Sequence, residues 1–199
     1  MLDAILIIVA YLFGSFSTAI IACKLLRLPD PRSQGSGNPG ATNVLRFGGK
    51  KAAIIVLIGD ILKGVIPVLL AKLIGVTDLT LALVALAAFL GHLYPVFFGF
   101  QGGKGVATAF GVLLGLHWIL ALCTLGTWLA VAAISRLSSL AALTAAVLTP
   151  LYTWWLTGNR YFTVMALLLS ILLLWRHRSN IRNLLAGTEP RIGQKKNAT

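Results

Sequence analysis

Acidic residues are scarce in this chain. Asp and Glu together number five in 199 residues, and none occurs between Asp78 and Glu189. That gap removes the carboxylates a Mg²⁺–nucleotide centre would need across the middle of the chain. Cysteine is limited to Cys23 and Cys123, each inside or at the end of an apolar run. Two such residues build neither a disulfide framework nor a thiolate metal site and read as small buried hydrophobes. Charge of either sign is thin, at 11% of residues, where a soluble domain carries roughly a quarter. The start, Met1-Leu2-Asp3, lacks a basic region and no small-residue cleavage signal follows. The run 4–23 therefore reads as a retained span rather than a signal peptide. No internal repeat is visible, which weighs against a transporter built from inverted halves.

What is abundant is hydrocarbon: 58% of residues are hydrophobic. Too few polar groups remain to cover such a chain in water, so the bilayer is its expected solvent. The charges are one-sided, with 17 Lys and Arg and a net charge of +12. Scattered between apolar runs, these cations fit positive-inside loops and anionic ligands. They form no basic stripe of the kind that binds nucleic acid.

Apolar stretches run over 4–23, 52–71, 79–103, 105–135, 137–159 and 161–175, with Asp60 and Lys63 inside the second. One crossing takes roughly 20 residues. As a single helix, 105–135 would be about 46 Å long, so a break is expected at 115–118, where His117 and Trp118 stand. Seven crossings result. They place Lys24, Arg27, Arg32, Arg46, Lys50 and Lys51 of the 24–51 loop inside, together with Lys104, Arg136 and the tail from Arg176. The N-terminus, Lys72 with Asp78, and Arg160 fall outside. Trp118, Trp154, Trp155, Tyr161 and Trp175 lie near expected span ends, as an interfacial belt would. The expected fold is an all-α polytopic membrane bundle of seven helices with cytoplasmic glycine-rich loops. It forms one domain over 1–199, with a flexible tail at 191–199.

Three segments carry chemistry. The first, 30–46, holds Gly35, Gly37 and Gly40, which let backbone N–H groups converge in an anion nest. Ser36, Asn38, Thr42 and Asn43 add polar side chains, and Arg32 and Arg46 add charge. Composition alone fits a flexible connector; the flanking arginines at a membrane edge favour a site. The second, 92–108, sets Gly102, Gly103 and Gly105 around Lys104 ahead of a short apolar helix. Charge, N–H groups and helix dipole then favour an anion together. The segment departs from a Walker A loop: the glycine spacing is one residue short, and Gly105 stands where Ser or Thr belongs. ATP hydrolysis is rejected.

The third, 176–189, continues from the last apolar run as an expected helix, with His177 and Asn180 three residues apart on one face. For Arg178, Lys195 and Lys196 a grip on anionic headgroups is the simpler reading. Asp60 and Lys63, at i,i+3, read first as a structural ion pair and second as an aid to placing the first loop. His92 opens the second motif and is placed to orient its turn. His117 reads as interfacial.

The Gly14-Ser15 pair, GSGNPGATN at 35–43, GDILKG at 59–64, GHLYPVFFGFQGGKGVAT at 91–108 and RHRSNIRNLLAGTE at 176–189 resemble the bacterial acyl-phosphate:glycerol-3-phosphate acyltransferases (the PlsY family). The motifs follow in order over nearly the whole chain. The resemblance implies a multi-pass enzyme of the bacterial inner membrane for the first acylation step of phospholipid synthesis. Such an enzyme transfers a fatty acyl group from acyl phosphate to the 1-hydroxyl of glycerol 3-phosphate, giving lysophosphatidic acid and phosphate. No metal or cofactor is expected. The partners implied are the two substrates, the lipid bilayer and a soluble enzyme that makes acyl phosphate; nucleic acid is not among them.

Matching motif by motif, Ser36, Gly37, Asn38, Gly40, Thr42, Asn43 and Arg46 fall in the first loop and Gly102, Gly103 and Lys104 in the second. His177 and Asn180 fall in the third region. Ser139, after Arg136, is a weaker match. Lys104, His177, Arg46 and Ser36 are the expected catalytic residues and the others the expected substrate-binding ones. None of His92, His117 and His177 has Asp five positions on, so the His-x₄-Asp base of thioester-using glycerolipid acyltransferases is absent. A phosphate or organophosphate transporter and a lipid-binding scaffold are the competing classes.

Overall fold

The computed structural model describes residues 1–192. Among them the chain forms nine α-helices and no strand. This is what an apolar chain requires, since in hydrocarbon each helix satisfies its own backbone. The helices are α1 (Leu2–Gly14), α2 (Thr18–Leu25), α3 (Ala41–Ile74), α4 (Asp78–Leu93), α5 (Val106–Leu116), α6 (Trp118–Ser135), α7 (Ser138–Thr157), α8 (Arg160–Arg176) and α9 (Arg178–Leu185). A short 3₁₀ turn, Val96–Phe98, follows α4. The tail expected at 191–199 lies outside the described residues beyond Ile192, as do Lys195 and Lys196.

The anticipated break falls at His117, whose extended backbone separates α5 from α6. Four helices are long and apolar enough to cross a bilayer, or six if the bent pairs α1–α2 (42°) and α8–α9 (60°) each count as one span. Seven crossings would also require α5. Its 11 residues reach only about 16 Å, roughly half the hydrocarbon thickness.

Two expectations at helix boundaries are corrected. The 24–51 segment is not all loop: Gly40, extended, opens α3, and no breaker intervenes before Gly48 and Gly49. Thr42, Asn43 and Arg46 therefore sit on the first turns of a helix. Gly49, at φ 79°, then kinks α3 before its long apolar stretch. The 176–189 region is likewise not a straight continuation of the last span. The chain bends at His177, which ends α8 and opens α9.

The chain divides into two compact units, 1–118 and the residues from Ile119 onward. In the first, α1 packs on α4, and α3 on both α4 and α5. These contacts are backbone-close. A Cβ on Gly14 would strike the Ala88 carbonyl, and one on Gly111 the Ile61 carbonyl. Small residues suit helix pairs in lipid, where association comes from close packing and not from a hydrophobic drive. In the second unit α6 meets α7 through the Thr127–Tyr152 hydroxyl pair at 2.9 Å, and Ser170 Oγ of α8 donates to the Ala146 carbonyl of α7 at 2.6 Å.

Candidate active site

The first turn is organised by one side chain. Asn43, buried on the first turn of α3, reaches back across the loop. Its Nδ2 donates to the carbonyls of Pro31 (3.0 Å) and Gln34 (2.9 Å), and its Oδ1 accepts from Ser36 N–H (3.0 Å). Both amide hydrogens are thereby engaged. Gly35 and Gly37 take φ of +57° and +70°, where other residues are strained. A Cβ on Gly35 would also strike Asn43 Oδ1. The result presents Ser36, Gly37, Thr42 and Arg46 on the exposed side, with Asn38 half-buried. Gly40 caps α3 without a side-chain hydrogen bond; the Asn43 N–H turns to the Gly40 carbonyl at 3.1 Å, and the N–H groups of Ala41 and Thr42 are left to ligand or solvent.

The second turn is organised by missing side chains. Gly102 and Gly103 are buried against the end of α4. A Cβ on Gly102 would strike the His92 carbonyl, and one on Gly103 the His92 ring. Gly103 N–H donates to the His92 carbonyl at 3.2 Å. Phe100 holds a left-handed φ of 59° and its N–H donates to the Pro95 carbonyl at 2.9 Å. Gly105 (φ 88°) starts α5, again with no side-chain cap. Lys104 stands half-buried between these glycines.

The two turns lie side by side. Arg32 Nη1 donates to the Phe98 carbonyl (3.5 Å), while its other nitrogens hold the Asp30 carboxylate, the shortest contact being 2.7 Å. The Pro39 carbonyl also lies 3.1 Å from the place a Gly103 Cβ would take. Arg32, expected to add free charge, is thus the strap between the turns. Its hydrogen bond holds the Asp30 carboxyl below the usual carboxylate range, with the attraction of the guanidinium charge acting in the same direction. Ser36, Gly37, Asn43, Gly102, Gly103 and Lys104 consequently belong to one end of the first unit.

Beneath the second turn lies a cluster that motif matching did not assemble. Lys63 Nζ is 2.9 Å from Asp60 Oδ1, and His92 Nδ1 approaches the same oxygen at 3.6 Å. The Asp60–Lys63 spacing announced the ion pair. Nothing local announced His92, which comes from another helix.

In the second unit, His177 is buried at the α8–α9 bend, and its Nδ1 donates to the Leu173 carbonyl at 2.8 Å. A carbonyl only accepts, so Nδ1 carries the hydrogen and neutral His177 keeps its lone pair on Nε2. Asn180 Nδ2 donates to Glu189 Oε1 at 2.6 Å, which ties α9 to the segment after it. Ser139, on the first turn of α7, is buried, and its Oγ finds no hydrogen-bond partner among the described residues. No group of three or more His, Cys, Asp or Glu residues arranged to hold a metal occurs among the described residues.

Residues 4–187 match the glycerol-3-phosphate acyltransferase family. A glycerol-3-phosphate acyltransferase of Thioalkalivibrio sulfidiphilus is 62% identical over 195 residues, 98% of this chain and 96% of that protein. One from Methylococcus capsulatus is 56% identical over 192 residues, 96% of this chain and 97% of its own length. Among solved structures, the glycerol 3-phosphate form of PlsY, an integral membrane glycerol 3-phosphate acyltransferase, superposes with a TM-score of 0.92 at 43% identity, covering 97% of this chain and 96% of that one. Its lysophosphatidic acid form gives 0.90 at 42%, with the same coverage.

Proposed function

Because the chain belongs to the glycerol-3-phosphate acyltransferase family and is a multi-pass membrane acyltransferase, we propose that its acyl donor is acyl phosphate and its product lysophosphatidic acid. The observation that carries this reading is the adjacency of two glycine turns, each leading into a helix start without a side-chain cap. Acyl phosphate and glycerol 3-phosphate each end in a phosphoryl group, so the reaction needs two anion seats close together. A thioester donor would need only one at the reacting end. The match over 4–187 runs through both compact units, which supports one acyltransferase domain.

In this mechanism the 1-hydroxyl oxygen of glycerol 3-phosphate attacks the acyl carbonyl carbon. The new ester C–O bond forms as the carbonyl carbon–oxygen bond to phosphate breaks. The departing phosphate accepts the hydroxyl proton, so no protein base is required. Lys104 and Arg46 neutralise phosphoryl charge, the Ser36 hydroxyl and the Thr42 N–H donate hydrogen bonds, Gly37, whose N–H is held by the Gln34 carbonyl at 2.9 Å, keeps the first turn open, and Gly102 and Gly103 let the backbone come close. Asn38 and Gly40 shape the first turn and Asn43 holds it. In the second unit Ser139 and Asn180 are substrate-contacting candidates, and His177, with Nε2 as its acceptor, is the candidate for a conventional base. Positioning and electrostatic stabilisation supply the rate. The acyl chain rests among the helices, in the bilayer.

The basic residues of 24–51 favour cytoplasmic turns, an outside N-terminus and an inside C-terminus, in the inner membrane of a bacterium. A soluble enzyme would supply the acyl phosphate. The test offers purified protein labelled glycerol 3-phosphate with acyl phosphate or with acyl-CoA. Labelled lysophosphatidic acid from acyl phosphate alone is expected; product from acyl-CoA at equal rate would overturn the donor assignment. His177→Ala with unchanged substrate affinity and abolished turnover would replace substrate-assisted transfer by a protein base.

A further inference from the structure

Asp60, Lys63 and His92 are 2%, 4% and 6% exposed. Ionisable groups buried to this degree are costly. If stability alone were at stake, apolar side chains of similar size would serve as well. The cluster's value must lie in what it holds in place.

We propose that Asp60, Lys63 and His92 form a positioning unit that sets the geometry of the Lys104 turn. The chain of contacts is continuous. His92 Nδ1 faces the Asp60 carboxylate at 3.6 Å, close enough to feel its charge but beyond hydrogen-bond length. The opposite edge of its ring, at Nε2, is the surface that a Cβ on Gly103 would strike, and its carbonyl accepts from Gly103 N–H. Ring and carbonyl together form the seat of the residue before Lys104. Lys63 neutralises Asp60 at 2.9 Å and donates to the Phe16 carbonyl at 3.0 Å, a backbone group freed by the break between α1 and α2. The Phe16 ring in turn lies 5.1 Å from Phe97, within the 3₁₀ turn of the same loop. One buried carboxylate therefore ties the α1–α2 break, α3 and the end of α4 to the second turn. A change in the charge or shape of this cluster moves the turn, and Lys104 with it.

This inference rests on the reading of Lys104 as a phosphoryl-holding group. The test is a double-mutant cycle in purified, folded protein: native, His92→Ala, Lys104→Ala and the pair. Residues that act through one another are non-additive. We expect His92→Ala to lower turnover at least about tenfold in the native background and less than about twofold in the Lys104→Ala background. Equal fold losses in both backgrounds would mean that His92 is merely structural and would overturn the proposal, as would no loss in the native background. Where His92→Ala does not fold, the near-isosteric Asp60→Asn runs the same cycle with the same criteria. Glycerol 3-phosphate affinity, titrated on the four proteins, gives the same contrast if turnover falls below detection. Lys104→Ala at native turnover would defeat the Lys104 reading itself, a result separate from additivity in the cycle.

Discussion

The two glycine turns of the first unit reach the same end by opposite means. The first is held together by polar side chains: the Asn43 amide bridges three backbone groups, and Arg32 clasps Asp30. The second is held by the lack of side chains, with Gly102 and Gly103 seated directly on the end of α4. Where a loop lies over solvent it needs its own internal hydrogen bonds. Where it lies on a helix it can borrow that helix as a template, provided nothing larger than hydrogen projects from its backbone. The two turns should therefore respond differently to substitution.

The largest effect is expected at the cation the second turn presents. Lys104→Ala should lower turnover at least about a hundredfold, the scale for removing a preorganised stabiliser, measured with purified enzyme and saturating substrates. Next, Gly103→Ala should cost about as much, because its Cβ meets the His92 ring. Gly126→Ala, on α6 where nothing lies within 4 Å and φ is not left-handed, should leave turnover near native, and comparing the two rates isolates the template. A milder loss is expected in the first turn. Asn43→Ala strips partners from the Pro31 and Gln34 carbonyls and the Ser36 N–H, at about 1–3 kcal/mol of stability for a partly buried set, visible as a lowered Tm. Equal tolerance of Asn43→Ala and Gly103→Ala would break the contrast.

The smallest effect concerns the strap. Asp30 and Arg32 are each more than a third exposed at the side chain, so solvent screens their pair to about 1 kcal/mol or less. The Asp30 carboxyl lies below its ordinary value in the folded chain. Its contribution is therefore present above the unfolded carboxylate pKa and fades as pH falls through the lower folded value. Activity near neutral pH should not depend on this titration. Asp30→Asn should lower Tm slightly at pH 7 and leave Tm unchanged at a pH below the folded pKa, as thermal melts across pH would record.

Much of this was legible in the sequence because it is local. Apolar run length marked the helices, and His117-Trp118 marked the break before α6. Glycine spacing marked both turns, and the i,i+3 spacing of Asp60 and Lys63 marked the buried pair. The rest depended on distance along the chain or on context. His92 reaches Asp60 only after α3 and α4 pack together. Asn43 read as a ligand donor because a sequence does not reveal that its amide turns back on its own loop. The bend at His177 carries neither Gly nor Pro, so a pattern of apolar and basic residues gave no reason to end the helix there. The start of α3 at Ala41 was hidden because Gly48 and Gly49 resemble a loop.

The most direct test asks whether the two turns share one aqueous face and one reaction site. Ser36→Cys and Gln101→Cys, placed singly in protein with Cys23 and Cys123 replaced by Ala, are treated with a membrane-impermeant maleimide in sealed right-side-out and inverted vesicles. Both positions should react from the same side, the cytoplasmic one, and glycerol 3-phosphate should slow both reactions. Labelling of Ser36→Cys and Gln101→Cys from opposite sides would contradict a shared face.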